Sequence, residues 1–457
     1  VSADRAATSY RTAYHARWVM PVTGPAIEHG TVVVEGDRIA YVGTRAEAPL
    51  ARDEDLGDAI LMPGLVNAHT HLDLTVMRGF LEGLSFFTWI RTLTAARAEL
   101  HHDDLLASAQ LGIVEGLLAG VTTYADTAPA PAGFDAMRSL GVRGIAYREI
   151  FGPDPRSWQA SADDLRRAVR AMRTYETPMV RVGVSPHAPY SVSDALYAAV
   201  AAYAQEHDLP VATHVAESED EHDLVAGAQG AFAAFLHGRK IDVTVRGRSP
   251  IDVLEKTGIL AQRALLIHCV RVDATDIAAI ASHGCGVAHC PASNAKLGHG
   301  IAPLTELLAA GVHVGLGSDS MASNNRMAIV DEGRLAILAQ RMRHRRDDAL
   351  DARAALEMAT IGGARALGMG GTIGSLEVGK RADLVAFRLP PSSMPAYRMC
   401  DALAWSLGTT PAARVIINGV ERVRDGVVHG VDTGALASKV DAIARRLAVW
   451  KQQRQPG

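Results

Sequence analysis

The stretch Val66-Asn67-Ala68-His69-Thr70-His71 decides how the rest of the 457-residue chain is read. It is a short strand running into two histidines one residue apart. In extended backbone alternate residues share a face, so both imidazoles point the same way. Seven more strand-like runs follow, at 121–125, 143–147, 180–184, 211–213, 264–267, 286–288 and 313–317. Helical composition fills the gaps, as at 194–200 and 304–308. Eight strand–helix units close a (β/α)8 barrel, and the spacings suit right-handed crossovers. An α/β fold with a TIM-like barrel is therefore expected.

The polar residues gather where those strands end. His69 and His71 follow the first, Arg148 and Glu149 the third, His187 the fourth, and His214 with Glu217 the fifth. His268 ends the sixth, His289 follows the seventh, and Asp319 ends the eighth. In such a barrel the C-terminal strand ends share one mouth, where catalytic groups collect. A single histidine there could be core packing; so many in register are hard to explain that way. His69, His71, His214 and Asp319 make an N3O set suited to one divalent metal, Zn2+ first, with Fe2+ or Mn2+ as alternatives. A metal so held supplies hydroxide near neutrality. Glu217, three residues beyond His214, is expected to carry the proton, while Glu219, Asp220 and Glu221 read as surface helix carboxylates. Asp319 and His268 are expected to orient the attacking water. Trp89, with Phe86 and Phe87, reads equally well as burying a substrate ring or as ordinary core packing. Arg148 and Glu149 read equally well as substrate contacts or as a rim ion pair, and His289 as packing or substrate contact.

Both ends of the chain have another character. Residues 31–39 read as strand, turn and strand about Gly36, and 415–420 as a strand entering an Asn-Gly turn. Pooling them gives a small β-sandwich domain from 1–62 plus 371–435, around a barrel at 63–370, with a C-terminal helix and a tail frayed from Lys451 in 436–457. A hydrophobic fraction of 48%, a charged fraction of 21% and a net charge of −4 fit a soluble enzyme and exert no pull towards nucleic acid or anionic membrane. The four cysteines form no C-x-x-C pair. No run is apolar enough to span a bilayer and Val1–Arg5 opens no apolar leader, so the cytoplasm is the expected location.

Pro63–His71, Ser185–Tyr190, Thr213–Ser218, His268–Val270, His289–Leu297, Gly317–Ser320 and the return segment Gly374–Asp383 together resemble the amidohydrolase superfamily, in its one-metal branch of cytosine/adenosine-deaminase-like and chlorohydrolase-like enzymes. The resemblance implies metal ligation by His69, His71, His214 and Asp319, catalysis by Glu217, His268 and Asp319, and substrate contacts at His187 and Ser320. No lysine stands at the fourth strand end, so a lysine-bridged binuclear centre is not expected. It implies deamination of an aminated purine nucleoside, with a 5′ substituent as in methylthioadenosine, S-adenosylhomocysteine or aminodeoxyfutalosine. The 78–90 segment, leading to Arg91 and Arg97, looks closer to the aminodeoxyfutalosine type, whose benzoate an arginine could bind. Guanine or cytosine deamination, triazine dechlorination, cyclic-amide hydrolysis and a catalytically dead binding barrel are the alternatives. A homodimer is a family-level expectation.

Overall fold

In the computed structural model, which describes residues 11–454, eight parallel strands form a ring. They are β1 (Leu65–His71), β2 (Val121–Ala128), β3 (Arg143–Ile150), β4 (Val180–Pro186), β5 (Ala212–Val215), β6 (Leu265–His268), β7 (Gly286–His289) and β8 (His313–Leu316). Strands β1 to β4 pair in sequence, as do β5 to β8. A single bridge between Val184 and Val211 joins the two runs on one side. On the other, the short strand Asp319–Ser320 pairs with Thr70 and His71 and closes the circle. The eighth strand therefore stops at Leu316, and Asp319 belongs to a separate two-residue strand beside β1. Val66, Ala68, Ala125, Ile145, Ile267 and Ala288 form one buried cluster inside the ring. This is a packed interior, as small barrels require.

The flanks meet as expected. Leu384–Arg388 pairs antiparallel with Ala59–Pro63, so both ends of the chain share one nine-stranded sheet. That sheet encloses a core of its own, including Val32, Ile39, Leu61, Leu384 and Ile416. The hairpin at Gly36 forms, with Glu35 opposite Arg38. At the second, Asn418 and Gly419 both have positive φ, 54° and 79°, as a two-residue hairpin turn of this twist needs. The last helix runs Thr433–Arg454, past Trp450, and the rest of the expected frayed tail lies outside the described residues. The four cysteines are free and at least partly buried. Among the described residues no helix is long and apolar enough to cross a membrane.

One ion pair ties sheet to barrel. Arg143 at the start of β3 is 1% exposed and donates through Nε to Asp383 at 2.5 Å. Asp383 also accepts from the Asn418 amide at 2.8 Å. Removing one partner strands a buried charge, a change that costs about 3–5 kcal/mol. Asp383→Ala is expected to lower stability by about that much, read as a drop in the urea midpoint at unchanged slope. Replacing both Arg143 and Asp383 with apolar residues should cost far less.

Candidate active site

At the mouth of the barrel two histidines face one carboxylate and a third faces the second of them. His69 Nε2 lies 3.3 Å and His71 Nε2 3.5 Å from Asp319 Oδ1. His71 Nε2 is 3.3 Å from His214 Nε2. Each position follows from local chain geometry. His69 and His71 are alternate residues of β1, while His214 lies in β5. Asp319 reaches the group because its backbone is left-handed, φ 54°, a conformation that Asp tolerates better than most residues. Its other oxygen accepts from Ser293 Oγ at 2.5 Å and Ser323 Oγ at 3.0 Å.

These groups fit a divalent cation. His71 Nδ1 donates to the Thr127 carbonyl at 2.7 Å and His214 Nδ1 to the His187 carbonyl at 3.3 Å. A carbonyl only accepts, so each neutral ring turns a bare Nε2 lone pair towards the other. Both nitrogens of buried His69 lack a hydrogen-bond partner. Burial pushes His69 down to about 4 and holds His214 well below the ordinary imidazole value, so both rings are neutral at neutral pH. Burial also opposes charge on His71, but Glu149, Asp319, Asp73 and Asp126 outweigh it and raise its pKa. The field at this point therefore favours positive charge. His69, His71 and His214 could together hold a metal ion, and Glu149, His187 and His214 form an overlapping group of the same kind.

Glu217 sits beside this cluster. It is 4% exposed, with Oε1 3.5 Å from His268 Nε2. His268 Nδ1 is fixed by Asn294 Oδ1 at 2.9 Å. Burial alone would raise the Glu217 carboxyl, yet the neighbouring His268 and His299 rings hold it below the ordinary range. It is therefore ionised and able to accept a proton.

The remaining expected residues are spread around this centre. The His187 ring lies 4.8 Å from that of His214 and 4.7 Å from Phe151, with Nδ1 2.7 Å from Ser191 Oγ. Trp89 is buried and stacks on Phe86, and it is Phe86 that touches a mouth histidine, His299. Glu149 is buried with Oε1 3.9 Å from His214 Nδ1, and burial lifts its carboxyl to about 7. Arg148 points elsewhere, pairing with Asp164 at 3.6 Å. Ser320 is buried and hydrogen-bonded to Ser323 at 3.1 Å. His289 is buried with neither ring nitrogen bonded. Arg97 is held by buried Asp73 at 2.5 Å, and Arg91 lies over the Phe87 and Phe235 rings.

A further expectation needs correction. Glu221 is not a surface carboxylate: it is fully buried and accepts from the backbone amides of Ala216 and Glu217, at 3.0 and 2.8 Å. It braces the turn that carries Glu217. The spacing Ser218-x-x-Glu221 is a helix-capping signature and was the available signal; Ser218 Oγ does accept the Glu221 amide. Glu219, by contrast, is exposed and pairs with Arg271. Sequence reasoning also passed over His299, whose Nε2 lies 3.4 Å from Glu217 Oε1.

The model of the amidohydrolase family matches residues 60–430. A 5-methylthioadenosine/S-adenosylhomocysteine deaminase from Desulforudis audaxviator is 35% identical over 437 residues, spanning 94% of this chain and 97% of that protein. Among solved structures, a zinc-bound adenosine deaminase from Xanthomonas campestris superposes with a TM-score of 0.84 at 29% identity, over 96% of this chain and 98% of that one. A zinc complex of an atrazine chlorohydrolase from Arthrobacter aurescens gives 0.81 at 26% identity, over 95% and 100%.

Proposed function

The chain belongs to the amidohydrolase family, and on that premise we propose that it is a metal-dependent deaminase of a 5′-substituted adenosine, in the class of methylthioadenosine and S-adenosylhomocysteine. The reaction adds water to the ring carbon bearing the amino group, releases ammonia and leaves a carbonyl in its place. The observation that carries the reading is the cluster in which His69 and His71 face Asp319 Oδ1 and His214 faces His71, with ionised Glu217 nearby. His69, His71, His214 and Asp319 would hold the metal. A divalent metal there supplies Lewis acidity and a hydroxide nucleophile near neutral pH.

The chain's own groups do the rest. Glu217 takes the proton of the attacking water and delivers it to the ring nitrogen beside the reacting carbon, then assists departure of ammonia. His268, fixed by Asn294, and Asp319, fixed by Ser293 and Ser323, orient the water. His187 and the Phe86–Trp89 helix turn face the purine, with Glu149 and Ser320 as further contacts. The name of the 35% identical relative favours the thioether substrates. We take the boundaries near 62 and 370, a homodimer, a cytoplasmic location and the exclusion of nucleic-acid polymers as parts of the same proposal.

A panel tests it. Zinc-loaded protein is given methylthioadenosine, S-adenosylhomocysteine, adenosine, aminodeoxyfutalosine, guanine, cytosine and a chlorinated triazine, with ammonia and chloride both assayed. Ammonia from the 5′-thio nucleosides first is the expected result. Chloride release without ammonia would move the chain to the dechlorinating enzymes, whose apparatus is nearly the same.

A further inference from the structure

Glu217 Oε1 lies between two imidazoles, those of His268 and His299. In neutral His268 the ring proton is on Nδ1, donated to Asn294 Oδ1 at 2.9 Å. Its Nε2, 3.5 Å from Glu217 Oε1, is then a lone pair. His299 approaches the same oxygen from another loop, with Nε2 at 3.4 Å. Its side chain is 4% exposed, and this Nε2 has no well-formed hydrogen bond to any group. An unsatisfied polar nitrogen buried this deeply costs about 1–3 kcal/mol, so its placement needs a reason.

The chain is built to put the ring there. His299 lies between Gly298 and Gly300, with φ of 74° and 103°, backbone that L side chains rarely adopt. Its amide donates to the Asn294 carbonyl at 2.9 Å, so the residue that fixes His268 also anchors His299. The edge of its ring meets Phe86 at 4.4 Å between centroids and 83° between planes. Phe86 is the first residue of the helix Phe86–Arg97 and is itself buried.

We propose that His299 is a positioning residue for proton transfer: its Nε2–H, held in place by Phe86, aims the Glu217 carboxylate at the reacting atoms. The 3.4 Å separation is the long form of a contact that shortens when substrate fills the site, as catalytic hydrogen bonds in unliganded enzymes commonly do. The inference rests on the deaminase reading for its kinetics, but not for its spectroscopy.

The test uses zinc-loaded full-length wild type, His299→Ala and His299→Gln, whose amide can replace the donor. Against the best nucleoside of the panel, His299→Ala is expected to lower kcat about tenfold or more, within the general acid–base contribution, with KM within twofold. His299→Gln should recover most of that loss. In parallel, the Glu217 carboxylate stretch is isolated as an infrared difference against Glu217→Gln in each background. It is expected to shift in His299→Ala and to return in His299→Gln. An unchanged stretch, kcat within twofold of wild type, or a rise in KM alone would each overturn the proposal, the last making His299 a substrate contact. If wild type deaminates nothing, the function reading falls and the infrared result still decides the role of His299.

Discussion

Glu217→Gln is expected to lower kcat for ammonia release by about 10²- to 10⁴-fold, the range that a positioned general acid–base supplies. Metal content and unfolding midpoint should stay at wild-type values. Glutamine keeps the shape of the side chain and can still accept from His299, but it cannot accept and return a proton. The substitution thus separates chemistry from architecture: Glu221, not Glu217, holds the local backbone. A variant that lost metal or stability along with activity would place Glu217 among the structural groups. A variant with kcat within tenfold of wild type would remove it from the proton path.

The second large effect is expected at His214. His214→Ala should cost well over the roughly 10- to 100-fold in metal affinity that outer-shell changes cause, because it removes a ligand. Titration against a chromogenic chelator measures this. Glu149, 3.9 Å from His214 Nδ1, acts one step further out, so Glu149→Gln should lie inside the 10- to 100-fold range. Equal losses at the two positions would contradict the separation into ligand and support. The sign with pH follows from the imidazoles. Burial keeps His69 near 4 and His214 well below the ordinary imidazole value, so protons should compete with metal at these two only well below neutral pH.

The barrel was legible because its signal is repeated. Polar residues stand at or just after seven of the eight strands, and the alternation in 66–71 fixes which side chains share a face. The ring closure was less visible: Asp319 pairs beside Thr70 through a two-residue strand that no periodicity reveals. Positive φ angles at Ala216, His268, Cys269 and Asp319 turn the chain sharply at the mouth. They decide which neighbours reach the centre. Glu221 was read as one more acid in a polar run, because its burial depends on the turn at Ala216. His299 was passed over because it follows no strand directly; a loop between two left-handed glycines carries it in. The Arg143–Asp383 pair joins positions far apart in the chain, and neither residue carries a local signal. Sequence pattern thus exposes what strands present, and hides what turns redirect.

The central claim is that a metal held by this cluster and a proton carried by Glu217 together remove an amino group from a 5′-substituted adenosine. Its most direct test is ammonia release from methylthioadenosine by chelator-stripped protein as zinc is returned stepwise. The account predicts that release rises with zinc, saturates at about one metal per chain, and stays near zero throughout in Glu217→Gln. Stoichiometric zinc binding with no ammonia from wild type, or equal ammonia from Glu217→Gln, would contradict it.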